Sequence, residues 1–102
     1  MDNNSISGKI MEKMRQEGLE PYAWSNGPLV TYAAHEHPYH KVLYVTDGSI
    51  VFTLHGPVPK ALPLKTGDRM DLPPNTSHSA VVGPSGVTCL EAQKPGLDLA
   101  RT

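Results

Sequence analysis

The side chains best suited to chemistry crowd into one stretch, His35-Glu36-His37-Pro38-Tyr39-His40-Lys41. Three of the chain's five histidines fall within these positions. His35 and His37 are two residues apart, so on a β-strand both side chains leave the same face, one pleat apart. Neutral imidazole is the commonest protein ligand for transition metals and is available near pH 7. One ion could therefore take a nitrogen from each ring. The plainer reading is a pair of surface histidines ahead of a strand, and the spacing alone leaves both open. The elements that must position them are strands. Leu29 to Ala34 delivers His35, and the apolar run Val42-Leu43-Tyr44-Val45 follows Lys41. That run ends at Asp47-Gly48, a dipeptide suited to a tight hairpin into Ser49 to His55, where Ile50, Phe52 and Leu54 share a face.

A second segment carries another histidine. Gly67-Asp68-Arg69-Met70-Asp71-Leu72-Pro73-Pro74-Asn75-Thr76-Ser77-His78 reads as a Gly-Asp turn, a short strand, a Pro-Pro-Asn turn, and a histidine entering the next strand. Together the two segments resemble the paired signature motifs of the cupin superfamily, G-x5-H-x-H-x3/4-E-x6-G and G-x5-P-x-G-x2-H-x3-N. His35, His37 and Gly48 fall on the first, and Gly67, Pro73 and His78 on the second. The match runs from about residue 28 to 92, and several fixed spacings agree at once. The chain departs from the pattern at four slots: Lys41 stands in the glutamate slot, Leu29 in the opening glycine slot, Asn75 in a glycine slot and Val82 in the closing asparagine slot. Asn tolerates positive φ better than most residues.

The resemblance implies an all-β fold, a small cupin-type jelly-roll β-barrel with a short N-terminal helix. Residues 1–19 form the helical segment and 20–102 the barrel. It also implies that His78 faces His35 and His37 in the barrel mouth, the three together holding a divalent transition metal ion. A nitrogen-only donor set favours Fe, Ni, Zn or Cu over Mg or Ca. Lys41 is the awkward residue. At about 4 Å a unit charge is repelled by a unit charge with roughly 4 kcal/mol at an effective dielectric of 20, and twice that by a dication. Three roles are open to it: holding an anionic substrate group, acting as oxyanion donor in a metal-free pocket, or giving way to its neighbour His40 as a fourth ligand. A purely structural Lys41 with its tip in water is the plain alternative. Asp68 and Asp71 read as local backbone caps, His55 as an edge histidine, and Tyr44 as facing away from Lys41.

Composition bounds the function. A net charge of −1 over 102 residues gives no basic footprint for nucleic acid. No apolar run reaches membrane-spanning length, and no signal-peptide core opens the chain. Cys89, the one cysteine, lies in an apolar strand and reads as a buried inert thiol in a cytoplasmic protein. Ser5 or Ser7 can cap a helix carrying Ile6, Ile10 and Met14 on one stripe, ended by Gly18. Residues 1–4 read as frayed, and the tail from Gln93 shows little pattern. Ten prolines and nine glycines punctuate about eight short strands. Three functions compete: a small metal-binding cupin (as an enzyme, oxygenase- or isomerase-like), a metal-free isomerase or epimerase using a histidine with Lys41, and a non-catalytic module that binds or senses a small ligand; Lys41 makes a small anionic molecule the expected partner. A homodimer is the expected assembly.

Overall fold

The computed structural model describes residues 5–94; the expectations for residues 1–4 and for the tail beyond Lys94 lie outside them. Helix α1 spans Ile6–Gln16. Six strands follow: β1 (Tyr22–Asn26), β2 (Thr31–His35), β3 (Lys41–Leu54), β4 (Lys60–Lys65), β5 (Arg69–Leu72) and β6 (His78–Gln93). All pairings are antiparallel. β6 has β3 on one side and both β1 and β2 on the other, while β3 takes β5 and β4 along its far edge.

The helix is bounded by its own sequence. Ser5 Oγ accepts from Gly8 N at 2.9 Å, satisfying one of the free amides of the first turn. Gly18 follows the last turn at φ 82°, with Gly18 N bonded to Arg15 O and Leu19 N to Met14 O. Leu19 then packs beside Met14 in one buried cluster, as this type of helix stop favours. Met14 and Leu19 cover Val42, Tyr44, Leu90 and Ala92 on the outside of β3 and β6. Ile6, expected on the same stripe, is instead 46% exposed.

Eight short strands become six because two expected turns are bulges. Asp47-Gly48 does not reverse the chain: β3 runs through it, and its halves pair with β5 and β4 rather than with each other. Gly83-Pro84-Ser85 likewise lies within β6. Gly48 sits at φ 78°, and a Cβ there would run into the Gly86 carbonyl. The glycine serves close approach of two long strands, which the sequence shares with a turn signal. The register shifts at Val45/Asp47 and Gly48/Ile50 also move the inward face from odd to even positions. Leu43 and Val45 face in before the bulge, Ile50 and Phe52 after it. At this level the ladder folds over. β1, β5 and the near halves of β3 and β6 form one layer, and β2, β4 and the far halves form the other. Val42 and Leu43 are both fully buried; the helix covers one face, and the facing layer covers the other.

Candidate metal site and ligand pocket

His35 and His78 are direct partners in the β2–β6 ladder, so their side chains start as cross-strand neighbours on one face. His37 lies just past β2, and its carbonyl accepts from Asn75 N at 2.6 Å. Asn75 stands at φ 59°, and that turn ties the His37 segment to the one that carries His78. The ring centroids are 4.4 Å apart for His35–His78, 4.8 Å for His35–His37 and 5.3 Å for His37–His78. One nitrogen from each ring lies within 4.8 Å of the others.

The donor chemistry suits a metal. His35 Nδ1 lies 2.8 Å from Ala33 O, and His78 Nδ1 lies 2.8 Å from Thr76 O. A carbonyl only accepts, so each Nδ1 carries a proton, and in the neutral ring Nε2 keeps its lone pair. Among the described residues, His78 Nε2 is the buried side-chain atom without a hydrogen-bond partner. Such an orphan is costly unless something fills it. Burial, reinforced by the Lys41 charge and the neighbouring rings, holds His78 below the usual imidazole pKa against the Thr76 hydrogen bond. Burial and Lys41 do the same to His37. Both rings are thus kept neutral and ligand-competent.

Lys41 opens β3 and points inward; the residue is 6% exposed. Its Nζ lies 3.6 Å from Glu91 Oε1 and 5.9 Å from the Phe52 ring centre. Glu91 is held from the other side as well, Oε1 accepting from Trp24 Nε1 at 2.9 Å and Oε2 from Tyr22 Oη at 2.8 Å. Desolvation and this carboxylate push the Tyr22 hydroxyl up to about 12, so it remains a donor. The histidines, Lys41, Glu91 and the aromatic rings of Trp24, Tyr32, Tyr39 and Phe52 line one cavity of about 410 Å³.

The other candidates sit elsewhere. His40 is outside the three-histidine group; its Nε2 lies 3.2 Å from Asp71 Oδ2. Asp68 caps Lys65 N at 2.9 Å, whereas Asp71 serves Arg69 and His40 rather than the backbone. His55 pairs with Ser79 Oγ at an exposed edge. Tyr44 turns from the cavity, to be buried under the helix. Cys89 is buried, and desolvation pushes its thiol up to about 12. Sequence reasoning missed Glu91. The signal was a single carboxylate in the apolar run Val87 to Ala92, two residues from core-facing Cys89, where a buried charge demands partners.

No family model matches the sequence, and no curated protein does. Solved structures do. The Drosophila melanogaster CENP-C cupin domain superposes with a TM-score of 0.67 at 12% identity, covering 72% of this chain and 59% of that one. KdgF from Halomonas sp. gives 0.61 at 23%, covering 79% and 73%. DMSP lyase DddQ from Ruegeria pomeroyi gives 0.64 at 21%, covering 78% and 40%. The chain thus spans less than two thirds of the CENP-C and DddQ chains. All four glycine slots of the two motifs also stand at positive φ: Leu29 at 63°, Gly48 at 78°, Gly67 at 95° and Asn75 at 59°. This chain has the cupin fold, an all-β jelly roll with a short helix on its outside.

Proposed function

We propose that this protein is a small metal-binding cupin in which His35, His37 and His78 hold one divalent transition metal ion beside a pocket for a small molecule. The observation that carries the reading is the buried, unpartnered Nε2 of His78, whose lone pair is aimed by the Thr76 carbonyl on the opposite nitrogen. When bound, the ion would supply Lewis-acid polarisation of a ligand oxygen. The chain's own residues do the rest. Two backbone carbonyls fix the tautomers, the aromatic side chains supply an apolar wall, and the Lys41–Glu91 pair sets the charge of the pocket. Lys41 stands where the superfamily pattern has a glutamate ligand, which leaves the donor set nitrogen-only and favours Fe, Ni, Zn or Cu. Names among the structural neighbours range from DMSP lyase to CENP-C bound to CAL1, so fold alone does not choose between catalysis and sensing.

Elemental analysis of the purified protein, with calorimetric titration of zinc into chelator-treated protein, tests the proposal. The expected result is one ion per chain. A folded protein that takes up none would end it. A metal-free pocket, with a neutral histidine as base and Lys41 as oxyanion donor, is favoured by the inward, buried lysine. Against it, the described ring partners of His35 and His78 are carbonyls, and no carboxylate orients either as a base.

A further inference from the structure

The pocket's formal charges cancel. Of the groups lining it, only Lys41 and Glu91 carry charge while the histidines are neutral, and these two lie 3.6 Å apart. Three neutral imidazoles offset none of an ion's charge, so a loaded site is left with a positive surplus that the protein does not balance. The lysine itself is also under-used. Its 3.6 Å approach to Glu91 is longer than the roughly 2.7–2.9 Å of a charge-assisted hydrogen bond. Glu91 meanwhile has hydrogen-bond donors of its own in Tyr22 and Trp24. The Phe52 face at 5.9 Å steadies the ammonium without taking up its protons. A side chain only 8% exposed therefore has donors to spare at the wall of the cavity that also holds His78 Nε2.

We infer that this pocket takes a small organic carboxylate, its anionic end held by Lys41 and its apolar body packed among Trp24, Tyr32, Tyr39 and Phe52. A cavity of about 410 Å³ is at the small end of ligand pockets. The walls are aromatic, so a flat hydrocarbon body fits them better than a polyhydroxylated one. The inference rests on the metal-site reading for the strength of the attraction, while Lys41 alone supplies its sign.

Benzoate and its neutral isostere benzamide are the probes, titrated calorimetrically into zinc-loaded and metal-free protein. Benzoate is expected to bind at least about tenfold more tightly than benzamide to the loaded protein, with a smaller preference kept by the metal-free form. Lys41→Met should abolish the metal-free preference and Lys41→Arg should keep it. Because Lys41→Met leaves Glu91 buried without its counter-ion, the double variant Lys41→Met/Glu91→Gln carries the same test with both charges removed. Equal binding of benzoate and benzamide by the metal-free wild type would overturn the inference, as would a preference that survives in the metal-free double variant. Failure of zinc to bind would instead strike the metal reading, and the metal-free titrations would still decide the anion question.

Discussion

Two clusters that each set histidine beside charged side chains sit on opposite faces of β3, and they are finished to different degrees. On the outer face, Arg69 donates from Nε and Nη2 to Asp71, and from Nη1 to Glu17 and the Tyr44 hydroxyl. His40 completes the outer set on Asp71. Inside the roll, His78 Nε2 has no partner and Lys41 stands off from its carboxylate at 3.6 Å. The outer cluster has its polar groups matched and joins the helix end to the sheet. The inner one runs from exposed His35 to buried His78, and its buried end is incomplete, which a fold tolerates at a cost and which a ligand can relieve. Saturation, rather than residue type or proximity in sequence, separates the structural histidine from the three proposed to hold a metal.

The largest expected effect follows directly. His78→Ala should weaken zinc binding by more than the roughly 10–100-fold that loss of an outer-shell partner costs, measured by competition with a chromophoric chelator. His40→Ala, one residue from Lys41 but committed to Asp71, should leave zinc affinity within about twofold of wild type. Comparable losses in the two variants would erase the distinction between the clusters.

Arg69→Ala tests the other side. Its side chain is 28% exposed, so screening reduces what each ion pair is worth. With its several hydrogen bonds and its place over the Tyr44 ring, the loss should be about 1–2 kcal/mol of stability. Denaturant midpoints would read it, and zinc affinity should not move beyond about twofold. A stable variant that loses metal would show that the outer latch positions the inner site.

How much of this could be read beforehand depended on whether a signal was local. The His-x-His pair, the distant His78 and the helix cap were legible because fixed spacing or a short-range hydrogen bond defines each. The course of β3 and β6 was not. A glycine serving close strand approach at Gly48 and one serving a reversal leave the same Asp-Gly signature, and only the clash with Gly86 tells them apart. His40 was ambiguous for a related reason: Pro38 breaks the alternation that would fix its face, and its partner Asp71 is 31 residues away. Lys41 could be flagged as odd, but its meaning needed Glu91, which reaches it diagonally from β6 through the Leu43–Glu91 register. A buried ion pair between strands far apart in the chain has no local pattern.

The two clusters should also fail at different pH, and this is the smallest effect because it is spread over two windows. In the metal-free protein, His78 and His37 titrate below the ordinary imidazole value of 6.5. The unfolded chain therefore takes up protons first as pH falls below 6.5, and the folded state loses stability through that window until the depressed folded values are reached. Lys41 and His35 deepen the depression at both rings, while Glu91 opposes it at His37. Asp71 is held below its ordinary 3.8, first by the Arg69 hydrogen bond, so its contribution persists above 3.8 and fades only under stronger acid. Urea midpoints measured from pH 7.5 to 3 should thus fall in two steps. His78→Ala should shrink the upper step and Asp71→Asn the lower one. Should Asp71→Asn flatten the upper step instead, the outer carboxylate would be acting on the inner rings, and the two faces of β3 would have to be treated as one electrostatic unit.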